Sequence, residues 1–163
     1  MVAAPTREEL FAILESVKDP EVPVLSVVEL GIVRDAVVDD RGVTITVTPT
    51  YSGCPAMRTI EEEIAAALAA RDIGPVTIRT VYAPAWTTDW IGADARAKLE
   101  AYGIAPPGVV DTELVPLRRA EAVRCPYCGS RDTELRAEFG STACKAMWVC
   151  RACTQPFEQF KAH

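Results

Sequence analysis

The chain has 163 residues, of which 49% are apolar and 25% charged, a composition that supports one ordinary domain plus a small module and excludes wholesale disorder. Its 17 basic and 23 acidic side chains leave a net charge of −6, which gives no reason to expect nucleic acid or an anionic membrane as a partner. The single histidine, His163, stands at the C-terminal end and cannot build a site that needs several imidazoles, so metal or nucleophile chemistry falls to the six cysteines. No apolar run is long enough to cross a bilayer, and Arg7, Glu8 and Glu9 interrupt any signal-peptide pattern, so a cytoplasmic location is expected.

In chain order, Thr6 with Glu9 makes a capping-box pattern, and Leu10, Phe11, Leu14 and Val17 recur on one helical face. Asp19-Pro20 should stop that helix, because proline disfavours helical geometry in the residue before it. Residues 32–38 and 43–48 flank Asp39-Asp-Arg-Gly42 and read as a hairpin, with Val43, Ile45 and Val47 facing a core. A second helix starts after Cys54, with Pro55 at its first position and Met57, Ile60, Ile64 and Leu68 as its apolar stripe. Gly74-Pro75 closes it, residues 76–82 predict a strand, and residues 90–102 a third helix ended by Gly103. The order α-β-β-α-β-α predicts an α+β domain, a small mixed sheet packed with helices.

Charge and cysteine content change together near Pro116-Leu-Arg-Arg-Ala120. Residues 1–120 carry a net charge of −7, residues 121–163 a net charge of +1, and five of the six cysteines lie in the latter. The boundary is placed there, giving an α+β domain over 1–118 and a second module over 119–163.

That module holds Cys125-Pro-Tyr-Cys128 and Cys150-Arg-Ala-Cys153, two Cys-x-x-Cys pairs joined by two strand-like runs at 133–139 and 146–149. Each pair can turn both sulfurs toward one ion, and zinc takes four such ligands in a closed tetrahedron. An all-β zinc ribbon with one structural zinc on Cys125, Cys128, Cys150 and Cys153 is expected. A segment this small needs such a staple. Cys144 lies outside both pairs and is a candidate alternative ligand, since clustered thiolates also hold iron–sulfur clusters. Basic residues of the module are interleaved with acids, so nucleic-acid binding is not expected.

Cys54 stands alone in Thr50-Tyr-Ser-Gly-Cys54-Pro55, between a strand end and a helix start. The partial positive charge of a helix N-terminus favours thiolate, which can bind soft metal, accept sulfur or ligate a cluster. The plain alternative is a buried structural cysteine. Asp19-Pro-Glu21 presents two carboxylates that, beside a thiolate, would make a hard and soft donor set for iron. Trp86, Trp90 and Tyr82 are either core residues or an apolar contact surface. No base accompanies Cys54, so catalysis by this chain alone is not expected.

Asp19-Pro-Glu-Val-Pro-Val24, Leu30-Gly-Ile-Val33 and Thr50-x-x-x-Cys54-Pro55 together resemble the SufT-like family of iron–sulfur assembly proteins. With Ala85-Trp-Thr-Thr-Asp-Trp-Ile91, Tyr102-Gly-Ile-Ala-Pro-Pro107 and Phe139-Gly-Ser-Thr-Ala-Cys-Lys145 between the cysteine pairs, nearly the whole length resembles the PaaD family of phenylacetyl-CoA epoxidase subunits. The resemblance implies an accessory role in phenylacetate breakdown, supporting iron or iron–sulfur centres in partner subunits, with Cys54, Asp19, Glu21 and Thr50 as the residues that handle a transient iron or cluster. Partners implied are other epoxidase subunits or iron–sulfur assembly proteins, and homodimerisation is left open. One departure stands out: Ser26-Val27 occupies the place where many SufT-like members have Asp or Asn followed by Ile. The second function class is a non-catalytic interaction module with a structural zinc.

Overall fold

A computed structural model describes residues 4–108 and 122–163. The boundary expected at 118/119 lies outside the described residues. Packing divides the chain elsewhere, into one unit ending at Trp86 and a second running from Thr87 to His163.

In the first unit, α1 (Arg7–Leu14) opens with the expected capping box. The Thr6 hydroxyl accepts the Glu9 N–H at 3.2 Å, and the Glu9 carboxylate accepts the Thr6 N–H at 2.8 Å. These reciprocal bonds satisfy two donors that a helix start leaves open. The helix ends before Asp19-Pro20: Ser16 and Val17 bond back to the carbonyls of Ile13 and Leu14 in a tight exit turn. β1 (Val33–Asp39) and β2 (Gly42–Val47) pair antiparallel, α2 (Ala56–Ala69) crosses over, and β3 (Val76–Thr80) returns parallel to β2. The sheet order β1-β2-β3 is therefore mixed, as expected. Gly42 sits at φ +124°, and a Cβ there would strike the Pro75 carbonyl, which accepts the Val43 N–H at 2.9 Å. Only glycine permits that approach.

Val43, Ile45 and Val47 are buried, as the alternation required. They share the core with Leu10 and Leu14 of α1 and with Ile60, Ile64 and Leu68 of α2. Pro55 serves as the residue before α2 rather than its first helical one, and Ala56, not the half-buried Met57, completes the buried stripe. Ile64 is fully enclosed, so Ile64→Ala should lower stability by about 2–5 kcal/mol, read as a reduced urea midpoint at unchanged slope.

The second unit begins with a 3-10 turn (Thr88–Trp90) and α3 (Ala93–Ala101). It continues with β4 (Ile104–Ala105), β5 (Thr133–Ala137), β6 (Lys145–Cys150) and β7 (Pro156–Phe160). The four strands form one sheet ordered β4-β7-β6-β5. The third helix and β4 therefore pack with the cysteine-rich module, whose sheet gains β4 and β7 beyond the expected hairpin. Arg96 ties the start of this unit together, donating to the carbonyls of Ile91, Pro107 and Thr88 at 3.0, 2.6 and 2.8 Å. His163 is anchored rather than frayed: its carbonyl accepts the Thr88 N–H at 3.1 Å and the Thr87 hydroxyl at 2.7 Å. Among the described residues no helix is long and apolar enough to cross a membrane.

Candidate functional site

The two cysteine pairs form two knuckles. In the first, the Gly129 N–H bonds the Cys125 carbonyl and the Cys125 N–H bonds the Ser130 carbonyl, both at 2.9 Å. Gly129 takes φ +75°, and in the second knuckle Thr154 takes the matching turn position at φ +64°. The Cys150 N–H bonds the Gln155 carbonyl at 3.0 Å. Pairing of Thr133 with Cys150 across β5 and β6 holds the two turns beside each other.

The sulfurs of Cys125, Cys128, Cys150 and Cys153 all lie within 4.8 Å of one another, and among the described residues this is the group of donors able to share one ion. Cys125 and Cys153 sulfurs are 3.8 Å apart, Cys128 and Cys150 sulfurs 3.5 Å. Four thiolates at a zinc–sulfur distance of about 2.3 Å would stand about 3.8 Å apart in a tetrahedron. The set fits zinc, and such a closed set supplies structure rather than an open catalytic position.

Electrostatics lead the same way. The Ser130 N–H draws the Cys128 thiol down, yet desolvation and the sulfurs of Cys150, Cys153 and Cys125 push it up to about 12. Cys150, helped chiefly by the Cys153 N–H and opposed by desolvation, falls to about 7. Four sulfurs this close ionise together only around a cation. Cys144 lies outside the quartet; it is buried, and its sulfur sits 3.0 Å from the Thr142 hydroxyl.

In the first unit, the chain leaves β2, turns through Gly53 at φ +88° and reaches α2 at Cys54. The Cys54 N–H bonds the Tyr51 carbonyl at 3.2 Å, leaving its sulfur half-buried at the helix mouth. Burial pushes the thiol above its ordinary range, the Ala56 N–H opposes, Glu21 raises it further, Thr50 opposes by a side-chain hydrogen bond, and Asp19 adds a smaller push upward. Asp19, Glu21, Thr50 and Cys54 are thus gathered into one neighbourhood, as their motif placement suggested. The expectation of a thiolate is corrected. The helix N-terminus does favour it, through Ala56, but desolvation and two carboxylates outweigh that help.

The two acids differ in kind. Asp19 is only 5% exposed, and its Oδ1 accepts the N–H groups of Glu21 and Val22, each at 2.8 Å, so it shapes the turn that carries Glu21. Among the described residues, their ligand atoms and the Cys54 sulfur are not a group close enough to share one ion. Cys54 is a one-sulfur site.

Three further residues hold this loop. The Glu29 carboxylate accepts the Ser26 N–H at 2.8 Å, and the Ser26 hydroxyl accepts the Glu29 N–H at 3.0 Å, a second capping box at the Ser26-Val27 departure. The Trp86 indole donates to the Leu30 carbonyl at 2.8 Å, so Trp86 is core, while Tyr82 is 63% exposed. The Ser-x-x-Glu spacing was the available signal for the first pair; nothing local announced the Trp86 bond across 56 residues. A groove of about 920 Å³ between the β1–β2 turn and the end of α2 holds none of these residues. Cavity size does not mark this site.

A family model described as "PaaD zinc beta ribbon domain" matches residues 110–161, and one described as "Iron-sulfur cluster assembly protein" matches residues 7–78. Along 98% of its length the chain is 44% identical to a "Putative 1,2-phenylacetyl-CoA epoxidase" subunit of Escherichia coli (strain K12), covering 95% of that relative. The chain belongs to the PaaD family. A shorter likeness joins this PaaD-family chain to the "Fe-S protein maturation auxiliary factor YitW" of Bacillus subtilis (strain 168), 37% identical over 57% of the chain and 92% of the relative. Among solved structures, a "Domain of Unknown Function DUF59" from Bacillus anthracis is 29% identical, with a TM-score of 0.54, over 57% of the chain and 90% of that structure. The PaaD-family chain therefore combines an iron–sulfur-assembly domain with a metal-binding ribbon.

Proposed function

We propose that this chain is an accessory subunit of a phenylacetyl-CoA epoxidase, supporting assembly or maintenance of an iron or iron–sulfur centre in a partner subunit through Cys54. The observation that carries this reading is the gathering of Cys54, Thr50, Asp19 and Glu21 in the domain shared with maturation factors, in a chain whose full-length relative is an epoxidase subunit. One sulfur without convergent partners suits a transient hold, because an ion or cluster takes its remaining ligands from donor and acceptor. Cys125, Cys128, Cys150 and Cys153 hold one structural zinc. Partners are the epoxidase subunits or iron–sulfur assembly proteins.

Cys54→Ser tests the reading. Epoxidase co-produced with this variant should contain several-fold less iron and lose activity in proportion, while the variant keeps the wild-type unfolding midpoint. Full iron content in the partner would remove Cys54 from the function and leave a pure interaction module.

A further inference from the structure

The ribbon face that carries Cys150 also carries a second feature. Ala146, Trp148 and Cys150 alternate along β6 and are all buried. On the side of Trp148 away from Cys150 lies a cavity of about 230 Å³. Leu135, Phe139, Ala146, Trp148 and Gln159 line it, with Glu138 and Lys161 beside them. Trp148 is 3% exposed, and its indole N–H meets no acceptor. Buried donors in folded proteins nearly always find a partner, so this one marks a place where an acceptor is missing from the chain itself.

The rest of the wall is built for contact. Phe139 is 65% exposed, yet its ring is held by the Lys161 ammonium 4.4 Å from its centroid. Lys161 in turn donates to the Glu138 carbonyl at 3.1 Å. A rigid aromatic at the rim of an apolar pocket loses little freedom on binding, which is the property of an interface anchor. The volume is below the range of about 300–1,000 Å³ that cofactor and drug-sized ligands occupy, and suits one large side chain with its peptide group. Glu138 and Lys161 cancel in charge, so no charged ligand is selected. Leu135 belongs to β5, the outermost strand of the sheet, which no further strand pairs among the described residues. An extended segment laid along β5 would place alternate side chains over this face and bring its carbonyls within the reach of Trp148.

We propose that this cavity is an anchor pocket for an extended, uncharged apolar segment of a partner protein, one large side chain filling it and one carbonyl accepting the Trp148 indole N–H. The proposal rests on the accessory-subunit reading for the partner's identity, an epoxidase subunit, but the pocket chemistry stands on its own residues. It also gives the ribbon a task that the shorter maturation factors, matched over 57% of this chain, leave unassigned.

The full chain labelled with ¹⁵N reports on this directly, because Trp86, Trp90 and Trp148 give three indole signals and Trp148→Phe identifies one of them. N-acetyl-phenylalaninamide should shift the Trp148 signal saturably. Phe139→Ala, an exposed change, should weaken that binding by about tenfold, as truncation of an anchor does. The same variant should lower affinity for purified epoxidase by a similar factor. N-acetyl-serinamide should leave the signal in place. An unmoved Trp148 signal, an equal response to the serinamide, or a preference for the free acid N-acetyl-phenylalanine would each overturn the proposal, the last pointing to a small carboxylate ligand instead. Cys54→Ser should leave the shift intact, so failure of the iron-handling role and failure of the pocket are separate results.

Discussion

Replacing Cys125 by serine is expected to strip the second unit of its metal and melt the sheet around it. The core beneath that sheet consists of Ala105, Cys125, Ala146, Trp148, Cys150 and Phe157, so two of its six buried members are themselves ligands. So few apolar side chains cannot offset the ordering of this unit without a staple. Structural zinc contributes an apparent binding energy of about 10–16 kcal/mol in zinc-finger peptides at neutral pH, more than a small core supplies. Cys125→Ser removes one thiolate and leaves three sulfurs that repel when ionised. The expected result is loss of the bound zinc by elemental analysis, loss of the near-ultraviolet signal of Trp148, and rapid proteolysis within residues 122–163. The first unit should persist, because Leu10, Ile45, Ile60 and Ile64 form a separate core. Cys144→Ser is the matching control and should keep the metal, since that sulfur lies outside the quartet. Full zinc content and an unchanged melting profile in Cys125→Ser would refute a structural role for the metal.

Much of this arrangement was legible from residue order, for identifiable reasons. Thr6 with Glu9, the alternation of Val43, Ile45 and Val47, and the two Cys-x-x-Cys spacings are local patterns whose consequences are fixed within a few residues. What stayed hidden depends on distant partners. β4 is two residues long and exists only because Ile104 and Ala105 pair with Glu158 and Gln159. β7 has buried phenylalanines at 157 and 160, a spacing that is not strand alternation, and Glu158 between them is drawn inward by Lys145 at 3.2 Å. Lys145 itself is 4% exposed, which no reading of a lone lysine suggests. The division after Trp86 was obscured because charge and cysteine content change much later in the chain. At the Cys54 site the motif placed the right residues together, but the state of the thiol depended on burial, a quantity that a helix-start argument does not contain.

That thiol supplies the second large effect. Glu21→Gln should make Cys54 several-fold more reactive toward iodoacetamide at pH 7–8, and Thr50→Val should make it less so. The sign follows from the forces on the sulfur. Burial is the largest upward influence and neither variant is meant to alter it; Glu21 raises the thiol by its negative charge, so the neutral isostere lets it ionise at lower pH. Thr50 hydrogen-bonds the charged form, so its removal acts in the opposite direction. Asp19→Asn should have the same sign as Glu21→Gln but a smaller size, because its charge ranks last among the influences and asparagine can still accept the Glu21 and Val22 N–H groups. Stability moves with these changes. The folded state holds its proton to higher pH than an unfolded thiol, so the contribution is intact below the ordinary thiol range and is lost as pH rises through the folded value. Alkylation rates at Cys54, followed by mass spectrometry of the zinc-loaded chain across pH 6–10, give both the shift and its sign. A cation drawn to the same neighbourhood would act on the thiol as Glu21→Gln does, only more strongly. Cys54 would then become a ligand when iron arrives and return to an inert thiol when it leaves. Should Glu21→Gln leave the pH profile of alkylation where it was, the carboxylate is too far from the sulfur for that coupling, and iron handling at Cys54 loses its electrostatic basis.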